Sequence, residues 1–162
     1  SNHKKLKIRI YFPVAPKIKG LQLLKQLFPN AVFLISTAVY EELMRCKDAG
    51  FSFPDRIFEF TDVTQLNKGE LEEYKLILAR ARHLGHGEIH SIIIARFRKY
   101  PFLTNDKIAK KFAKEYGVEA WDIPDILKAL WAKGVKSKEE IRRIVSEMER
   151  KDRMVIQDIG LK

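Results

Sequence analysis

The first forty residues contain no aspartate and no glutamate, although they carry Lys4, Lys5, Lys7, Arg9, Lys17, Lys19 and Lys25. That absence excludes an acidic ligand or general acid from the N-terminal quarter. Any carboxylate chemistry must come from residues beyond position 40. Cysteine is nearly absent as well. With Cys46 alone, no internal disulfide can form, and a reducing, cytoplasmic setting is the expectation. Cys46 falls on a helix face expected to be buried, with no histidine near it in sequence, which argues against a thiol nucleophile. No apolar run has the length of a bilayer span, and the basic start lacks the apolar core of a signal peptide, so no membrane role is expected. Repeats, low-complexity tracts and Gly/Ser linkers are missing too.

What is present suits one folded domain. The chain has 162 residues, 46% hydrophobic and 10% aromatic, enough to bury a sizeable core. Its net charge of +10 favours a polyanionic partner, because neutralising phosphates releases counterions. A surface rich in Lys, Glu and Ile and poor in Asn and Gln is also what thermophilic proteins, archaeal ones among them, carry.

Strand and helix patterns alternate. Leu6–Phe12, Ala31–Ile35, Phe102–Thr104 and Val118–Trp121 predict strands, and Arg56–Phe60 a short strand or irregular connection. Helices are predicted over 18–28, from Thr37 to about Lys47, over 70–83, 88–99, 107–116 and 124–133. Ser137 and Glu140 form a capping box for a last helix to about Arg150. Residues Met154–Ile159 fit either an edge strand or a tail. The alternation implies an α/β fold of three layers, α/β/α, around a mostly parallel sheet. In such sheets ligands lie beyond the carboxyl ends of the strands, where Asp106 and Asp122 are expected.

Three acids stand out. Glu42, three after Val39 and four before Cys46, flanks the buried face of its helix, whereas Glu41 faces Arg45. Glu88 opens a helix above Ser91, Ile92 and Ala95, as an inward-pointing ligand or as an acid placed by the helix dipole. Asp106 caps the helix from Lys107, and its second oxygen leaves a metal role open. Asp122 is a helix cap or a replacement ligand, with Asp125 near it. Around Glu88 lie His83, His86 and His90, in an order unlike that of zinc proteases, so a dedicated zinc site is less expected than solvated loop histidines.

In order, LGHGEIHSIIIA and FLTNDKIAKKFAKEYGVEAW resemble the "LGxGE…A" and "LxTxDxxA…A…G" segments of the PIN domain, a family of metal-dependent nucleases that includes toxins of toxin–antitoxin pairs. AVYEELM looks like that family's first conserved helix, and DILKALWAKGVKSKEE resembles the helix and Gly turn that close many members. The resemblance implies a PIN-like domain over residues 4–136, with 137–162 a C-terminal helix and tail packed on it. It also implies a divalent-metal-dependent endoribonuclease. Glu42, Glu88 and Asp106 match ligands of Mg²⁺ or Mn²⁺, Thr104 matches the hydroxyl two before the last acid, and Asp122 is a further candidate ligand. The family's opening resembles "vfDasPLI", whereas this chain has IYFPVAPKI, with Pro13 where the Asp belongs. A weakened enzyme and a catalytically inactive RNA-binding or protein-interaction module are therefore both open. RNA is the expected partner. A cognate antitoxin or other protein, or a second copy docking on Ile141, Ile144, Val145 and Met148, are further candidates.

Overall fold

The computed structural model describes the backbone of residues 7–10 and 28–151 and the side chains of residues 28–147. The expected helix over 18–28, apart from Phe28, the segment Met154–Ile159 and Pro13 lie outside them.

Five short strands form the sheet: β1 Lys7–Ile10, β2 Val32–Ser36, β3 Thr61–Thr64, β4 Phe102–Leu103 and β5 Ala120–Trp121. All pairings are parallel, in the order β3-β2-β1-β4-β5. Seven helices are described: α1 Thr37–Asp48, α2 Phe53–Phe60, α3 Lys68–Ile77, α4 His86–Arg98, α5 Lys107–Glu115, α6 Ile123–Ala132 and α7 Lys138–Lys151. Parallel neighbours need crossovers, and helices supply them. Adjacent side chains on a strand point to opposite faces. Accordingly Leu103 packs with Phe33, Ile35, Val39, Ile57, Leu127 and Ile141, whereas Phe102 packs with Ile89, Ile92, Ala109, Ala113 and Ala120. One core thus lies on each face, which is the expected three-layer α/β fold.

Local signals explain most helix starts. Ser36, one residue before the expected Thr37, caps α1 by accepting from the Val39 N–H at 3.2 Å. Asn67 and Glu70 form a reciprocal capping box on α3, and Ser137 with Glu140 does the same for α7. Two readings change: the helix expected over 70–83 runs only to Ile77, with turns over 78–83, and the second concerns Arg56–Phe60. It is helical rather than extended: Pro54 stands in the first turn of α2, and Pro54 and Ile57 are buried one turn apart. The strand follows it instead. TDVT is short and largely polar because β3 lies at the sheet edge, with Asp62 and Val63 exposed.

Arg98 joins three of these elements. Its guanidinium donates to both oxygens of the fully buried Glu70, to Thr64 Oγ1 and to the Gln65 carbonyl, all within 2.9 Å.

Candidate active site

In a doubly wound parallel sheet the crevice opens where strand order reverses, here between the carboxyl ends of β1 and β4. Asp106 stands at the end of β4. Helix α1 begins at this same end, because it follows β2 directly, and it packs against α4.

Glu42 reaches across from α1 to α4. Its carboxylate lies against Gly87, whose N–H favours the charged form. A Cβ at position 87 would stand 3.0 Å from Glu42 Oε1, 3.1 Å from Oε2 and 3.0 Å from Val39 Cγ2. The second glycine of LGHGE is therefore what lets Glu42 approach. Burial pushes the Glu42 carboxyl above its ordinary range, against the opposing influence of the Gly87 N–H, Arg45 and His86. Glu88 is buried in the first turn of α4, and its Oε1 faces the Gly85 N–H at 3.4 Å. Both carboxylates thus end among the N–H groups of one helix terminus, where its dipole favours negative charge.

Asp106 caps α5 as expected: its Oδ1 accepts from the Ile108 and Ala109 N–H groups at 2.8 and 3.0 Å. No hydrogen bond of Oδ2 occurs among the described residues. Thr104, buried, accepts from the Asp106 N–H through Oγ1 at 3.1 Å and so fixes the bend after β4. Asn105 ties the same bend to α6 by accepting from the Ile123 N–H at 3.2 Å.

Asp122 is engaged elsewhere. Its Oδ1 caps α6 at the Asp125 N–H, while Oδ2 accepts from Lys110 Nζ at 2.8 Å. The same ammonium donates to Asp125 Oδ2 at 2.7 Å. Burial pushes the Lys110 pKa down, but Asp122 and Asp125 outweigh it and leave it raised. Burial acts to raise Asp125, yet Lys110 and the hydrogen bonds around Asp122 hold it below its ordinary range. Local spacing gave no warning of this. Lys110 sits one turn after Asp106 and could have paired with it, but tertiary packing turns it to α6.

The histidines do not form a metal group. His86 opens α4 and its Nδ1 pairs with the Tyr74 hydroxyl. His90 packs edge-on to Tyr74, centroids 4.6 Å apart. It is half-buried rather than solvated, its Nδ1 has no hydrogen-bond partner among the described residues, and burial, then His86, lowers its pKa. His83 is exposed and lies against Phe112.

Among the described residues, no three His, Cys, Asp or Glu side chains are placed to share one metal ion. A preformed all-protein cage is thus not built from them. The donor chemistry still suits a hard cation that keeps its own waters: Glu42 and Glu88 are carboxylates at one helix end, and Asp106 retains an oxygen.

The chain matches the model of the family DUF3368, a PIN domain, over residues 14–159. It belongs to the PIN-domain family. Solved structures agree on the fold. This PIN domain is similar to a PilT N-terminus domain protein from the hyperthermophilic archaeon Sulfolobus solfataricus P2, at 19% identity and a TM-score of 0.53, over 78% of this chain and 95% of that one. It is also similar to VapBC-1 from nontypeable Haemophilus influenzae, at 17% identity and a TM-score of 0.53, over 73% and 98% of the two chains. No curated protein gives a significant match. Among the described residues no helix is long and apolar enough to cross a membrane.

Proposed function

We propose that this PIN domain is a divalent-metal-dependent endoribonuclease that hydrolyses phosphodiesters at the carboxyl end of its sheet. The meeting of Glu42 and Glu88 at one helix terminus, with Gly87 admitting the first, carries this reading. Removing carboxylates from water is costly, and at Glu42 the N–H end of α4 offsets only part of that cost, which leaves a cation to supply the rest.

One or two of Glu42, Glu88 and Asp106 would hold Mg²⁺ or Mn²⁺ together with its own waters and a substrate phosphate, as is common for Mg²⁺. When bound, such an ion supplies Lewis acidity toward the phosphoryl group and lowers the pKa of a water. Thr104 acts as a positioning residue through the Asp106 backbone. Asp122, the fourth candidate ligand, is assigned to Lys110 and to capping α6. The excess of Lys and Arg attracts RNA to the domain.

Asp106→Asn keeps one oxygen for the α5 cap but removes the carboxylate. It is expected to abolish Mn²⁺-dependent cleavage of RNA while leaving melting almost unchanged. Cleavage that survives this substitution refutes the assignment.

A second reading, an inactive RNA-binding or protein-interaction module, is favoured by Pro13 in place of the family's Asp and by the Lys110 clamp on Asp122. Its mark would be salt-sensitive RNA binding indifferent to Mg²⁺ and Mn²⁺, with no cleavage in either. A cognate antitoxin or another protein is a partner suggested by the family alone, and the cytoplasmic expectation rests on the single cysteine. The last-helix face expected to dock a second copy is spent within the domain, because Ile141 and Ile144 are buried in its core and Val145 packs against them.

A further inference from the structure

The proposed function leaves the histidines of LGHGEIH without a task, although one of them opens the helix on which Glu42 and Glu88 converge. His86 and His90 are one turn apart on α4, and Tyr74 of α3 lies against both. The Tyr74 ring meets His90 edge-on, and its hydroxyl pairs with His86 Nδ1. Tyr74 and His90 are half-buried, whereas His86 is exposed.

Stapling α3 to α4 explains only part of this arrangement. The edge-on contact with His90 holds the two helices together, and a phenylalanine at position 74 would make it equally well. The hydroxyl does something else: it fixes which imidazole nitrogen carries the proton. A phenol is the better donor of the pair and an imidazole nitrogen the better acceptor. The Tyr74 O–H therefore donates to Nδ1, and the neutral His86 ring carries its proton on Nε2. That N–H, on an exposed ring, has no hydrogen-bond partner among the described residues. Its surroundings are those of the candidate site. His86 directly precedes Gly87, on which the Glu42 carboxylate rests, and its ring is near enough to Glu42 to act against that group's raised pKa. A lysine or arginine in this place would pair with Glu42 and compete with the cation that the carboxylates need. A neutral N–H serves an anionic oxygen beside the ion and leaves the acids free.

We propose that His86 donates a hydrogen bond from Nε2–H to a non-bridging oxygen of the scissile phosphate, and that Tyr74 is the positioning residue that holds its tautomer and ring. This role rests on the nuclease reading. No proton is transferred in it. The donor stabilises charge that grows on the phosphoryl oxygens as water attacks, so it acts on kcat rather than on substrate binding alone. His90 contributes at one remove, by packing on the Tyr74 ring.

Two measurements on the full chain test it. The first is ¹⁵N NMR of the histidine side chains at about pH 9, above the range in which imidazoles titrate. Wild-type His86 is expected to be protonated on Nε2, and the Nδ1–H form should gain in Tyr74→Phe. The second is the kinetics of Mn²⁺-dependent cleavage of an RNA oligonucleotide. His86→Phe should lower kcat by roughly a hundredfold, the usual loss for one such donor. His86→Gln, whose amide nitrogen reaches the place of Nε2, should recover much of it, and His86→Asn, whose nitrogen stands at the place of Nδ1, should not. Tyr74→Phe should lower kcat several-fold in the wild type but not in His86→Gln, which has no tautomer to fix. A merely structural Tyr74 would lower both alike, and that result would overturn its positioning role. Cleavage that depends on Asp106 but is unchanged in His86→Phe removes the proposal alone. So does equal activity of the Gln and Asn variants, or an Nδ1–H tautomer in the wild type. No cleavage by the wild type removes the nuclease reading and the donor role with it.

Discussion

Replacing Gly87 by alanine tests the geometry on which the candidate site depends. At an ordinary helical glycine this change is favourable by up to about 1 kcal/mol, because alanine loses less backbone freedom. Gly87 is not ordinary. The added methyl would lie 3.0 Å from Val39 Cγ2, and Val39 is fully buried in the core, so it has no space to yield. Overpacking of this kind typically costs about 1–3 kcal/mol. The Glu42 carboxylate can swing away, but it then gives up its approach to the Gly87 N–H, which favours its charged form. The net expectation is destabilisation by about 1–3 kcal/mol, a fall in melting temperature of roughly 3–10 °C for a domain of this size. Thermal unfolding followed by circular dichroism reads it directly. Val39→Ala should relieve part of the clash, so the double variant should lose less than the sum of the singles. RNA cleavage should fall in both the single and the double variant, because the Gly87→Ala methyl displaces Glu42 in each. A melting temperature that rises with Gly87→Ala would refute the steric argument and with it the role given to the motif glycine.

Other outcomes follow from the same contacts. Glu42→Gln should raise the melting temperature at pH 7: a carboxyl whose pKa is raised on folding loses stability as pH climbs from its unfolded value through its folded one, so the gain should shrink toward pH 4. A lower melting temperature at pH 7 would contradict this. Lys110→Met should destabilise by about 1–2 kcal/mol at neutral pH, between exposed pairs and buried charged hydrogen bonds, because Asp122 and Asp125 are left facing one another. Asp125, depressed in the folded state, contributes its share above the unfolded carboxyl pKa and loses it as pH falls through the folded one, so denaturant melts should show the loss fading in acid. Arg98→Met strands the buried Glu70 and should cost about 3–5 kcal/mol in urea unfolding, with a smaller loss if Glu70 is changed to Gln as well.

The alternation of apolar runs with helical periods was enough to reveal an α/β fold, because buried parallel strands and amphipathic helices leave different spacings in the chain. Asp106 as a cap, Asp122 as a cap and the Ser137–Glu140 box were equally plain, since capping is set by residues three or four apart. Contacts between distant segments were not. Nothing in TAVYEELM announces that Glu42 ends on Gly87, nor in KIAKK that Lys110 turns to Asp122 and Asp125. The α2–β3 segment misled because Phe58 and Phe60 suggest a strand, while the strand proper, TDVT, is too polar to show by pattern. His86 was expected in the turn before a helix from Glu88, but it opens α4.

The position of β1 bears on how the protein is made. First along the chain and central in space, it pairs with β2, whose residues follow soon after, and with β4, nearly a hundred residues on. During synthesis one side of the earliest strand must wait for most of the domain to emerge, a non-local closure of the kind that slows folding. A bare strand edge in that interval invites the edge of another chain. The run of Lys and Arg without a single acid across the first forty residues makes two such nascent segments repel, so the charge imbalance that suggests an RNA partner also guards the unfinished sheet.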